Sequence, residues 1–175
     1  MAGDRDGRSV PGSAGQLEEF HQAGKASDAF ALLSRLAGAG LALPDALARR
    51  LRAWAGEVFR SGAEADCDVL LSTIKKGRMI DFLDSVPDAF VRFRSIGEHG
   101  FLGNYLTHFT AEILPRLKGW LHADNGYVRY QAAFAVGHLR KEGLSVLEDL
   151  QAALRKASGF EEEENIRKAI ERVSA

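Results

Sequence analysis

From Gln16 onward apolar residues return every three or four positions, and no stretch alternates apolar with polar residues for long enough to make a strand. The spacing predicts an all-α chain. Ser27 and Asp28 are placed to start a helix that carries Phe30, Leu32, Leu33 and Leu36 and stops at Gly38 and Gly40. Pro44, tolerated in a first helical turn, opens a second helix whose stripe of Leu47, Leu51, Trp54 and Val58 runs to Ser61 and Gly62. The two are expected to form a helical hairpin.

The next pair is less regular. Val69, Leu70 and Ile74 lead past Gly77 to Met79, Ile80, Phe82 and Leu83, and Pro87 opens a short helix that Gly97 closes. An apolar segment from Phe101 to Leu121 contains Pro115, which lacks a backbone donor and therefore kinks or restarts the helix. Asn125-Gly126 makes a turn, after which Val128, Ala132, Ala133, Val136 and Leu139 share one face up to Gly143. A last pair spans 144–154 and 161–173, with Glu161 to Glu164 at a helix start, where the helix dipole favours acids.

A period runs through these helices. Leu51-Arg52, Val91-Arg92, Val128-Arg129 and Ile166-Arg167 follow one another at separations of 40, 37 and 38 residues. Repetition at this length is the mark of stacked helical pairs. Each dipeptide is expected to open the second helix of a hairpin. One hairpin is too thin to bury its own apolar stripe, whereas a stack of them makes a continuous core.

The stretch from Leu114 to Leu139, LPRLKGWLHADNGYVRYQAAFAVGHL, resembles a HEAT repeat in the broad sense that includes PBS-lyase-type HEAT-like repeats. Leu114, Pro115, Leu117 and Leu121 resemble the first helix, Asp124 the turn, and Val128, Arg129, Ala132, Ala133, Val136, Gly137 and Leu139 the second. The final copy is similar through Leu147, Leu150, Leu154, Ile166, Arg167 and Ala169, with Glu161 standing for the turn acid. Asp45 and Asp88 lie at other distances from Arg52 and Arg92. The resemblance implies a right-handed α-solenoid of about four antiparallel hairpins, while chain length and the charged, glycine-containing start lead us to expect one domain over 14–175 behind a loose tail of residues 1–13. It also implies that Arg52, Arg92, Arg129 and Arg167 bond to turn acids such as Asp124, a structural use of the planar guanidinium.

Composition narrows the function. A hydrophobic fraction of 46% and a charged fraction of 27% over 175 residues describe a chain able to bury its own core. A net charge of -1 offers a polyanion no general attraction. The lone Cys67 fits no disulfide or paired zinc spacing. No apolar run approaches the roughly 20 residues of a membrane-spanning helix, so a cytoplasmic location is expected.

Candidate chemistry is sparse. His108 and Glu112 share the i, i+4 spacing of helix-borne ligands, but a zinc site wants three or four, so no metal is expected. No phosphate-binding glycine loop or nucleophile motif occurs, and the reading is non-enzymatic and free of cofactors. What stands out is aromatic. Phe90 and Phe93 in the second copy, and Tyr127, Tyr130, Phe134 and His138 in the third, fall on the flank of the second helices that faces a solenoid's concave side. Either these rings bind a partner or they pack between neighbouring helices. The first reading makes the chain an adaptor or scaffold that binds another protein. A second is nucleic-acid binding, as in DNA-repair HEAT-like proteins, with arginines on phosphates and rings on bases. A third, implied by the PBS-lyase resemblance alone, is a lyase or chaperone for a bound chromophore.

Overall fold

A computed structural model describes residues 10–39, 44–93 and 106–175, and all regular structure among them is helical, with no strand. The described residues gather into two compact units, the first ending at Met79 and the second beginning at Ile80.

The first unit holds α1 (Val10–Gln22), α2 (Ala26–Gly38), α3 (Asp45–Ser61) and α4 (Glu64–Gly77). Helix α1 begins inside the stretch 1–13 expected as a tail, and residues 1–9 lie outside the described residues. Gly38 is the last residue of α2, Pro44 precedes the first turn of α3 and Gly62 ends it, but α2 begins at Ala26, so Ser27 and Asp28 lie within its first turn and do not cap it. The expected α2–α3 hairpin is not the main pairing, however. Helix α2 runs most extensively along α4, then along α1. A hydroxyl seals that seam: buried Thr73 of α4 lies 3.0 Å from the Phe30 carbonyl of α2 and 2.8 Å from that of Val69. Helix α3 joins through its side chains, with Trp54 against Phe30 and His21 at ring separations of 5.2 and 4.6 Å. Cys67 is fully buried, its thiol directed at the Val58 carbonyl.

The second unit opens with a 3-10 segment, Ile80–Ser85, and α5 (Val86–Arg92), which carries Pro87 in its first turn. The expected close of this helix at Gly97 lies outside the described residues. A 3-10 segment, Thr107–Ile113, then leads into α6 (Leu114–Leu121), and Pro115 sits in the first turn of that helix, where its missing donor costs nothing. After α6 come α7 (Gly126–Leu139), a 3-10 segment (Arg140–Val146), α8 (Leu147–Lys156) and α9 (Phe160–Ser174).

Helix α7 is the centre of this unit. It packs along α6 before it and more extensively along α9, and it also touches α5 and the 3-10 segments on both sides. Its sequence explains the position: Ala135, Val128, Leu139, Ala132, Val136, Ala133 and Gly137 make one broad apolar face of about half the cylinder, and that face is buried. Small residues bring α9 close. A Cβ on Gly137 would lie 3.1 Å from the Ala169 Cα, so only glycine allows the two helices this approach without a shift. Helix α8 packs along α9 and also meets α6.

Candidate functional site

The four marked dipeptides occupy different places in their helices. Val128-Arg129 lies in the first turn of α7, as expected. Leu51-Arg52 and Ile166-Arg167 sit in the middle of α3 and α9, and Val91-Arg92 closes α5 rather than opening it. Burial separates them further. Leu51, Val128 and Ile166 are core residues, whereas Val91 is 54% exposed. Arg52 is half-buried, and Arg92 and Arg167 are exposed. Arg92 lies over the Phe93 ring, and Arg167 pairs with Glu163 one turn back on its own helix.

Arg129 alone is buried, and every part of its guanidinium is used. Nε donates to Glu162 Oε1 at 2.7 Å, Nη1 to the carbonyls of Ala123 and Asp124 at 2.8 Å each, and Nη2 to that of Lys156 at 3.3 Å. The expectation of a bond to the Asp124 side chain is corrected here: the arginine takes the Asp124 main-chain oxygen, and its acid is Glu162. That acid lies five residues before Arg167, as Asp124 lies five before Arg129, so Glu162 and not Glu161 matches the offset of Asp124. The same offset from Arg52 and Arg92 reaches Leu47 and Pro87, neither of them an acid. Glu162 also accepts from the Ser158 N–H just before α9, a side chain reaching back over its own helix start.

Asn125-Gly126 serves the same node. The Asn125 side chain accepts from the N–H groups of Tyr127 and Val128 and so caps α7. A Cβ on Gly126 would lie 2.8 Å from Glu162 Oε2, so the glycine is there to admit the carboxylate.

On its other side α7 is open along one stripe. Tyr127, Tyr130 and Phe134 are half-buried and His138 is exposed, at offsets of three and four residues that stack them along three turns. Tyr127 and Tyr130 lie parallel with ring centres 6.0 Å apart, and Phe134 and His138 are 4.4 Å apart. His138 Nδ1 lies 2.8 Å from the Phe134 carbonyl, which fixes the imidazole on the stripe. Asn165 of α9 donates to the Tyr130 carbonyl at 2.7 Å, tying that helix to the edge of the stripe. Gln131, between Tyr127 and Phe134 on the helix, is buried with its amide nitrogen unpartnered.

The two phenylalanines of the second copy part company. Phe90 is a core residue, fully buried and edge-on to Trp120, which removes it from any surface. Phe93 is half-buried at the end of α5.

Elsewhere in the unit, Asp149 of α8 holds His122 and Lys118 at the end of α6, at 2.7 and 3.4 Å. Burial pushes the Asp149 carboxyl up, but hydrogen bonds from His122 and Lys118 and the charge of Lys118 outweigh it and hold it below the usual carboxylate range. Among the described residues no three His, Cys, Asp or Glu side chains gather as metal ligands, and no helix is long and apolar enough to cross a membrane. Comparison of the chain with family models, with curated proteins and with solved structures finds no match in any of the three.

Proposed function

We propose that this chain is a non-enzymatic adaptor of the cytoplasm, a HEAT-like stack of helical pairs that binds another protein through the open stripe of α7. The observation that carries the reading is local. On a helix otherwise enclosed by its neighbours, the stripe left to solvent consists of Tyr127, Tyr130, Phe134 and His138. Aromatic side chains kept at a surface leave apolar area uncovered, and such rings, rimmed by polar residues, are what protein interfaces concentrate at their centres. Support for the stacked-pair architecture comes from the α6–α7 and α8–α9 pairings, from the α7–α9 and α6–α8 contacts between them, and from the Arg129–Glu162 bond that joins one pair to the next. Of the four arginines that a nucleic-acid reading would place on phosphates, Arg129 is occupied in that bond and Arg167 pairs with Glu163 on its own helix.

The test is affinity capture with the intact chain and with Tyr130→Ala/Phe134→Ala as parallel baits. A partner held by the first and lost by the second, resistant to nuclease and to raised salt, supports the adaptor reading. Retention of the same partners by both baits overturns the site. Recovery of nucleic acid that raised salt releases steeply overturns the partner class.

A further inference from the structure

The stripe has a charged border, and its charge changes along the helix. Glu161, Asn165, Lys168 and Arg172 recur at offsets of four, three and four residues and so share one edge of α9. Two contacts place this edge beside the stripe. Asn165 bonds the Tyr130 carbonyl, and Arg172 Cδ lies 3.6 Å from where a Cβ on Gly137 would be, one residue before His138. The edge therefore runs from an acid near the Tyr127 end to two cations near the Phe134–His138 end. Glu164 and Glu171, four residues before and three after Lys168, flank it on the side of the helix farther from α7.

Both cations are available. Lys168 pairs with Glu164 on its own helix, but the two side chains are 56% and 47% exposed, and such a pair exchanges readily because it is worth little in water. Arg172 is exposed and makes no ion pair among the described residues. From Tyr127 to His138 the stripe is about 17 Å long, the length of three helical turns or of five extended residues.

We propose that this surface takes a short protein segment that is apolar in the middle and acidic at one end, its apolar side chains over Tyr130 and Phe134 and its carboxylates at Lys168 and Arg172. The inference rests on the adaptor reading and adds the chemistry of the partner. Charge complementarity selects the occupant. A nucleic-acid strand is negative throughout and would carry phosphates past Glu161 as well, whereas a peptide can confine its acids to the cationic end.

The experiment pans a displayed library of random dodecapeptides on the full chain, then measures synthetic winners by fluorescence anisotropy at low and raised salt. The expected winners carry Leu, Phe or Trp beside Asp or Glu at one terminus. Their affinity should fall about tenfold in Lys168→Ala/Arg172→Ala and on changing the peptide acids to amides, since close charge pairs at interfaces are worth this much. Lys168→Glu/Arg172→Glu should abolish binding and recover it when the peptide acids become lysines. Both changes sit on exposed side chains, and circular dichroism checks the fold. Winners that need Tyr130 and Phe134 but show no acidic bias and ignore Lys168 and Arg172 overturn this inference and leave the adaptor reading standing. Winners indifferent to Tyr130 and Phe134 overturn both. Tighter binding of a dT20 oligonucleotide than of any winner, lost in the same charge variants, identifies the surface as one for nucleic acid and also overturns it.

Discussion

On the packed side of α7, Arg129 is held by a carboxylate and three main-chain oxygens. On the open side of the same helix, Tyr127, Tyr130 and Phe134 make ring contacts along a half-exposed stripe. The charged residue is the buried one, and large aromatic residues are the half-exposed ones. Each reverses what water alone would dictate. For Arg129 the reversal is explained by full pairing, because a buried guanidinium is tolerable when its donors are met. Tyr130 and Phe134 keep apolar area at the surface of a helix that is otherwise enclosed, and this is the asymmetry on which the adaptor reading rests.

The contrast can be broken first at Arg129. Arg129→Ala would strip Glu162 of its counter-charge inside the fold and free three carbonyls. The expected loss is about 3–5 kcal/mol, the range for breaking one side of a buried pair, read as a shift in the urea midpoint at constant slope. Glu162→Ala should cost a similar amount, and the double variant less than the sum of the two. A loss below about 1 kcal/mol would mean that water reaches the node and that the packed side is not what it looks like.

A smaller effect is expected at Gly137. Overpacking against Ala169 opposes the gain in helix propensity, and Gly137→Ala should lower stability by about 1 kcal/mol. An increase in melting temperature would show that α7 and α9 are free to separate.

The smallest effect is at the partly exposed cluster between α6 and α8. Asp149 has its carboxyl depressed in the folded chain, so the stability it adds is present above the ordinary carboxylate value and lost as pH falls through the folded one. Wild type should exceed Asp149→Asn by about 1 kcal/mol from neutral pH down to about pH 5, and the gap should close below about pH 4. A gap that instead widened on acidification would contradict the sign of this coupling.

Much of the fold was legible because its signals are local. Pro44, Pro115, Gly38 and Gly62 fall at helix ends where their backbone chemistry puts them. Pairing was not legible, since the choice of α4 over α3 as the main neighbour of α2 depends on which faces meet and not on either helix alone. The Arg129 node was half legible. Its arginine stood out by recurrence, but Glu162 is one of four consecutive glutamates, and only the five-residue offset to Arg167 separates it from Glu161. Phe90 and Tyr127 carry aromatic rings at the same place beside the recurring dipeptide. Phe90 is enclosed against Trp120, thirty residues away in sequence, whereas Tyr127 is half-buried, and such distant neighbours leave no local signal.

The separation of the two sides of α7 is tested most directly by measuring partner affinity and unfolding midpoint together in Tyr130→Ala/Phe134→Ala. A captured partner serves as the ligand. The account predicts a loss of affinity of at least about thirtyfold, some 2 kcal/mol, with a smaller loss of stability than Arg129→Ala produces. A variant that binds its partner undiminished while unfolding as readily as Arg129→Ala would contradict it, because the stripe would then be core.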